Sequence, residues 1–248
     1  MSLLERHDPL PGVLRYCAYR EYSAAPFSRL EVPNGFVSLI LSFGDPIDVS
    51  GERCTSFVAA LHEHPAVTTF AGGQHGIQID VTPLAARRLF GMPLHEISGE
   101  LVVGWDALVG DDLVDRLAYA PDAFELLDAE LARRLDRDVP HEREVGWAFA
   151  RLRASAGAVP VGDLAAELGW SPRRLIERFR DVVGLPPKLT ARILRFESVV
   201  QRLRAGERLA DIAYDAGYYD QAHMNRDFRE FAHCSPGKFV QDGVATPG

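Results

Sequence analysis

Two short segments late in the chain carry, at helical spacing, side chains whose types match the edges of nucleic-acid bases. One holds Arg173, Ile176, Glu177 and Arg180, and the other holds Gln221, Ala222, Asn225, Arg226 and Arg229. Steps of three and four residues put each set on one helix face. A guanidinium can pair with guanine O6 and N7, and an Asn or Gln amide with adenine. A Glu carboxylate can accept from cytosine N4, and an Ile or Ala side chain can meet a thymine methyl. Arg180, Arg229 and Lys238 also suit phosphate oxygens, which give affinity and salt dependence but little sequence choice. Ser171, just ahead of the first set, joins the candidates from an N-cap position. Ile176 is informative because an apolar residue on a charged face has little reason to be there without a partner. The plainer alternative for each residue is a solvated helix face or an ion pair inside the domain.

The elements that must position these side chains occur twice. DLAAELGWSPRRLIERFR runs from Asp163 to Arg180, and DIAYDAGYYDQAHMNRDFR from Asp211 to Arg229. Asp163 aligns with Asp211, Ala165 with Ala213 and Gly169 with Gly217. After a one-residue insertion, Leu175 aligns with Met224, Phe179 with Phe228 and Pro187 with Pro236. Each copy predicts a short helix (Asp163–Leu168 or Ala210–Ala216) that ends at a glycine able to turn left-handed. An aromatic then covers the turn (Trp170 or Tyr218), and Ser171 or Asp220 caps a second helix. In that helix Leu175 and Phe179, or Met224, Phe228 and Phe231, form the buried stripe. Asp227 and Glu230 would repel phosphate and are expected in internal salt bridges or solvent. His223 aligns with Arg174 and is expected to pack at the lobe surface.

A helix over Leu189–Leu203, with Ile193, Phe196, Val200 and Leu203 inward, joins the copies. It would span roughly 25 Å at about 1.5 Å per residue. With the lobe widths added, the two outward faces could lie about one DNA turn apart, ~34 Å, as neighbouring major grooves require.

The formal charge of −8 over 248 residues looks wrong for a DNA-binding chain until it is divided. Residues 155–248 hold 13 basic and 12 acidic side chains, so the acidity belongs to the first part. A 47% hydrophobic and 25% charged composition is ordinary for a globular chain and argues against extensive disorder. Cys17, Cys54 and Cys234 are odd in number and far apart, which suits a reducing compartment and gives no disulfide or zinc framework. The segment MSLLERHDPLPG lacks the apolar core of a signal peptide, and Phe36–Phe43 is too short to cross a bilayer. The expectation is a cytoplasmic chain without a membrane partner.

Between residues 12 and 81 the pattern is of short strands at Val13–Tyr22, Phe36–Phe43, Thr55–Leu61, Ala66–Phe70 and Ile77–Val81. Breaks are read at Pro33-Asn34-Gly35, Gly44-Asp45-Pro46 and Gly72-Gly73. Such close spacing favours an antiparallel sandwich or barrel. Thr82-Pro83 predicts the start of a helix through Phe90, stopped by Gly91. Asp122–Asp136 and His141–Ala154 are helical by periodicity, and the domain boundary falls at Arg137–Pro140. The fold class is therefore an α+β domain over 1–138, an antiparallel sandwich or barrel with helices. An all-α domain with two helix-turn-helix motifs (about 157–180 and 208–231) follows over 141–240.

His62, His64 and His75 invite a metal reading, but no carboxylate follows His64 at the spacing of a metal cupin, and no metal or other cofactor is expected. Phe36, Phe43, Phe57 and Phe70 could line a pocket or simply fill a barrel. No Ser/His/Asp, Cys/His or phosphate-loop pattern stands out, so an enzyme is not expected. The Phe124–Leu135 helix could be a dimer seam or pack on its own domain.

The stretch GYYDQAHMNRDFREFAHCSPGKF, Gly217–Phe239, with the weaker first copy from Asp163 to Pro187, resembles the AraC/XylS family of bacterial transcription regulators. The resemblance covers about residues 157–240. It implies a seven-helix domain that binds double-stranded promoter DNA. In the wider family a cupin-like amino-terminal domain binds a small-molecule effector or forms a homodimer, and contact with RNA polymerase follows as a further implied partner. Two positions depart from the pattern: His233 stands where glycine is usual, and Met224 where phenylalanine is. The alternatives are a cupin-type metalloenzyme fused to a DNA-binding module and a helix-turn-helix interaction adaptor.

Overall fold

Two long strands organise the amino-terminal half. β2 (Val13–Glu31) and β7 (Ala66–Val81) pair antiparallel from Val13 opposite Val81 to Glu31 opposite Ala66, with a register shift between Ser23 and Phe27. The computed structural model describes residues 2–99, 103–104, 112–209, 211–212, 217–218 and 220–241. β1 (Ser2–Leu10) pairs with β2, and β3 (Val37–Ser42) with the other side of β7. β6 (Phe57–Ala59) and β8 (Val103–Gly104) continue the sheet, in the order β1-β2-β7-β3-β6-β8. A hairpin of β4 (Ile47–Val49) and β5 (Glu52–Cys54) attaches to the far end of β7.

Period-two alternation assigns the faces. Tyr16, Leu39, Leu41, Ile77 and Ile79 are buried on one face and join the main core. On the opposite face Cys17, Tyr19 and Glu21 meet Arg29, Glu31 and Phe70 from the far halves of the same two strands, around a cavity of about 90 Å³.

The strands predicted at Ala66–Phe70 and Ile77–Val81 are thus one strand, and β2 likewise runs on past Tyr22. Gly72-Gly73 is a bend within β7, where Gly72 has φ 88° and Gly73 donates to the Asp45 carboxylate at 2.9 Å. β1, β4 and β5 lie outside the sequence expectation, and the strand read at Thr55–Leu61 is confined to β6.

Helix α1 (Pro83–Phe90) forms as its ends dictate. Thr82 Oγ1 accepts from Ala85 N–H at 3.2 Å, proline occupies the first turn, and Gly91 closes it at φ 69°. Thr82→Ala should lower stability by about 0.5–2 kcal/mol in urea unfolding, the usual effect of losing an N-cap. α2 (Asp112–Ala118) and α3 (Ala123–Leu135) follow, the latter capped by Asp122 on two backbone N–H groups. α3 covers the sheet: Phe124 packs on Tyr16 at 5.4 Å, and the Tyr16 hydroxyl donates to Asp128 at 2.9 Å.

The remaining helices are α4 (Glu142–Ala154), α5 (Val161–Glu167), α6 (Pro172–Val183), α7 (Pro187–Arg204), α8 (Gln221–Phe231) and α9 (Pro236–Gln241). One buried apolar cluster runs from the strands through to Phe239. At its centre the last turn of α6 packs on α1 and on a 3₁₀ turn, Leu94–Glu96. Val182 and Val183 are fully buried there. At the next residue, Gly184, a Cβ would lie 1.9 Å from Ser98 Oγ. Among the described residues no helix is long and apolar enough to cross a membrane.

Candidate nucleic-acid interface

In the first copy α5 and α6 form the helix-turn-helix. Gly169 takes φ 64° at the turn, and Ser171 Oγ accepts from Arg174 N–H at 3.2 Å to start α6. Leu175 and Phe179 are fully buried, which leaves Arg173, Ile176, Glu177 and Arg180 exposed along the opposite face. Ile176 is 41% exposed with an apolar side chain in water. Arg173 Nε donates to Glu177 Oε1 at 2.9 Å. Both partners of this i,i+4 pair are solvent-exposed, so a base edge or phosphate can displace it at little expense.

The second copy repeats the arrangement. Gly217 takes φ 70°, and Asp220 accepts from His223 N–H at 2.6 Å to cap α8. Met224, Phe228 and Phe231 are fully buried. Gln221, Ala222, Arg226 and Arg229 are exposed, and Asn225 is half-buried. Lys238 is exposed on α9, and Ser171 is exposed at the head of α6. The expected side chains therefore form two outward ridges, one per lobe. Of the short helix expected over Ala210–Ala216, Asp211 and Ile212 are helical, and the others, with Ala213, lie outside the described residues. α7 joins the lobes with 18 residues, or ~27 Å of helix at about 1.5 Å per residue.

Arg174 and His223, aligned between the copies, do the same job. Arg174 lies over the Trp170 ring at 4.7 Å, and His223 meets the Tyr218 ring edge-on at 5.2 Å. Each fastens its second helix to the aromatic of the turn. Asp227 and Glu230 face inward to Arg192 on α7, with N···O distances of 2.8 and 2.6 Å. These hydrogen bonds hold the Glu230 carboxyl below the usual range. The guanidinium also lies 4.9 Å over Phe231, and Phe196 packs on Phe228 at 4.8 Å, so α7 grips α8 by charge and by rings. His233, which stands where the family pattern has glycine, sits at φ 52°, the left-handed region that favours glycine.

Two features escaped the sequence reading. Arg178 is exposed on α6 outside the expected set. The loop read only as a break at Pro33-Asn34-Gly35 is gripped by the helical half: Gly35 N–H donates to Glu197 at 3.2 Å, and its carbonyl accepts from Arg153 at 3.3 Å. A Cβ on Gly35 would lie 2.5 Å from Leu194 Cδ2, so any larger residue requires that side chain to shift.

The amino-terminal histidines do not converge. His62 is buried with Nδ1 2.6 Å from the His64 carbonyl, and His75 packs on Phe43 at 6.0 Å. Among the described residues no group of three His, Cys, Asp or Glu could hold a metal ion. The four phenylalanines separate as well. Phe57 and Phe70 line the 90 Å³ cavity, whereas Phe36 lines a different cleft.

Residues 164–242 match a protein family described as a helix-turn-helix domain. The uncharacterized HTH-type transcriptional regulator YbfI of Bacillus subtilis is 32% identical over 66 residues, 27% of this chain and 24% of that relative. ToxT from Vibrio cholerae O395 superposes over 94% of this chain and 98% of its own, with a TM-score of 0.53 and 11% identity. The helix-turn-helix region of this chain is of the AraC type. An unsaturated fatty acid-bound ToxT from Vibrio cholerae strain SCE256 has the same likeness, with a TM-score of 0.51 and 10% identity over 93% of this chain and 96% of that one. At these identities the ToxT structures establish a shared fold. Like them, this chain carries an antiparallel β-sheet region ahead of its helix-turn-helix domain.

Proposed function

We propose that this chain is a sequence-specific transcriptional regulator of the AraC/XylS type that reads one duplex with both lobes under the control of its strand-rich domain. The observation that carries the reading is the repeated division of labour on α6 and α8. In both, the apolar stripe is fully buried, the residue at one shared position is fastened to the turn aromatic, and the remaining face holds guanidinium, amide and small apolar groups in water. Arg173, Ile176 and Glu177 in one lobe, and Gln221, Ala222, Asn225 and Arg226 in the other, are assigned to base edges. Arg180, Arg229 and Lys238, with Ser171 at the helix start, are assigned to the backbone.

The architecture supports control by a small molecule. The strand domain abuts α6 through α1 and grips α7 and α4 through Gly35, so a ligand that alters the strand domain can alter the presentation of the lobes. ToxT, which shares the fold, has been crystallised with an unsaturated fatty acid, which supports looking for an effector here.

A gel shift with genomic fragments at two salt concentrations tests the function. The parent should bind selected fragments, and more weakly at higher salt. Arg226→Ala should weaken specific binding by about 1–3 kcal/mol and relax one position of the site. Unchanged binding to every fragment would remove the α8 face from the interface, and absence of any shift would favour a protein-interaction module.

A further inference from the structure

Arg173, Arg174, Arg178 and Arg180 are exposed along α6, and Glu177 is the one exposed carboxylate of that helix. Asp181, its other acid, is half-buried and faces Arg87 at 3.9 Å. Glu177 lies two residues from Leu175 and two from Phe179, so at about 100° per residue it sits about 160° around the helix from each. It is therefore the crest of the outward ridge, where a duplex would come closest. A carboxylate at that place repels phosphate and weakens binding to any sequence. Its presence calls for a contact that offsets this.

That contact is Arg173. Its Nε donates to Glu177 Oε1 at 2.9 Å, one helical turn along the same face, and the two side chains are 89% and 58% exposed. Among the described residues Nη1 and Nη2 of Arg173 have no hydrogen-bond partner. Arg173 also follows the Ser171 cap by two residues, in the first turn of α6, the part of a recognition helix that meets base edges. An arginine tethered through Nε is held back from swinging to a phosphate, and its remaining edge is the fork that fits guanine O6 and N7. In water such a pair contributes little. In a groove from which water is displaced the same hydrogen bond strengthens, and a guanine bound by Nη1 and Nη2 does not compete for Nε. The second lobe supplies the contrast. Ala222 and Arg226 hold the positions of Arg173 and Glu177 in α8, so no carboxylate stands at the equivalent place.

We propose that Glu177 is a positioning residue for base recognition, which aims the Arg173 fork at one guanine of the site. Its place at the base edges is thereby indirect: it acts through Arg173 rather than by meeting a cytosine on its own. The first lobe then reads that guanine with a guanidinium ordered before binding, so less side-chain freedom is lost on the DNA. The cost is a repulsion from phosphate that falls equally on every sequence. Glu177 thus trades affinity for discrimination. This role rests on α6 being a DNA-reading helix.

The test is gel-shift titration of the full chain on a duplex selected from a random-sequence pool, on its single-base-pair variants, and on the unselected pool. Arg173→Ala should lose about tenfold of discrimination at one guanine, the usual effect of removing a bidentate contact. Glu177→Ala should lose most of the discrimination at that same guanine, yet bind the unselected pool more tightly, because a charge that repels phosphate is gone. Adding Glu177→Ala to Arg173→Ala should cost no further discrimination. Glu177→Gln should keep the preference, since its amide oxygen still accepts from Nε. A Glu177 that is merely solvated would tighten binding to every duplex on removal and leave the preference intact. A Glu177 that reads cytosine directly would give losses that add to those of Arg173→Ala or fall at another base pair. Either result overturns the role while the DNA-reading assignment of the chain stands. A parent that binds every duplex equally would instead sink that assignment, and the role of Glu177 with it.

Discussion

Arg192→Met is expected to lower the unfolding free energy by about 3–5 kcal/mol, measured by urea denaturation. Removal of one partner leaves a buried charge uncompensated, which is the costly way to break a buried pair. Asp227 is that charge. Its side chain is 2% exposed, and it accepts from Arg192 Nη2 at 2.8 Å and from Nε at 3.3 Å. The Phe231 face would also lose the cation above it. Glu230→Gln, by contrast, should have a small effect, because that end of the cluster is 39% exposed and water can replace the partner. A combined Arg192→Met and Asp227→Leu chain should recover much of the loss. If the double variant is as unstable as the single one, the destabilisation comes from packing and the charge argument fails.

The same cluster sets a pH signature. Hydrogen bonding to Arg192 places the folded pKa of Glu230 below its ordinary 4.5. A depressed carboxylate contributes stability above the unfolded pKa and loses it as pH falls through the folded value. Below about pH 4.5 the parent should therefore lose stability more steeply than Arg192→Met. Glu31 and Glu197 act in the opposite sense, since burial raises their pKa values and acidification relieves them. Both are common to parent and variant, so they cancel in the difference between the two curves, which reports the carboxylates that Arg192 pairs, Asp227 and Glu230.

What the sequence revealed, and what it hid, follows the range of the interactions involved. The caps of α1, α6 and α8 were legible because Thr82, Ser171 and Asp220 act on backbone groups within three residues. The buried stripes of α6 and α8 were legible because periodicity is local, and duplication allowed one copy to check the other. The strands were legible only in part. Pro26 and the Gly72-Gly73 pair look like terminators, yet β2 and β7 continue through a bulge and a bend, and both halves of each strand line one cavity. β1 shows little alternation, because an edge strand exposed along most of its length needs none. The docking of α6 on α1, and the grip on Gly35 by Arg153 and Glu197, join residues about 90 to 160 positions apart. No spacing rule reaches that far.

Gly157→Ala should be among the most damaging single-methyl additions in the chain, and Gly169→Ala supplies its control. Both glycines are left-handed, at φ 73° and 64°, so each alanine incurs a similar backbone strain of about 1–2 kcal/mol. Their surroundings differ. A Cβ at Gly169 meets nothing within 4 Å, whereas at Gly157 it would lie 1.9 Å from the Ala191 carbonyl oxygen and 2.7 Å from its carbon. Those are backbone atoms of α7 and cannot rotate away. Overpacking adds about 1–3 kcal/mol, for a total of about 2–5 kcal/mol at Gly157 against about 1–2 kcal/mol at Gly169. Arg195, which donates to the Gly157 carbonyl at 2.8 Å and lies 5.3 Å over Tyr218, would be pulled off both. The turn before the first lobe is thereby tied to the turn of the second through α7. Gly157→Ala should therefore weaken binding to a full-length DNA site beyond what its unfolded fraction explains, because pushing α7 outward changes the spacing of the two recognition ridges. Equal midpoints for the two variants in urea would mean that the α4–α5 turn yields, and that α7 is not held at this point.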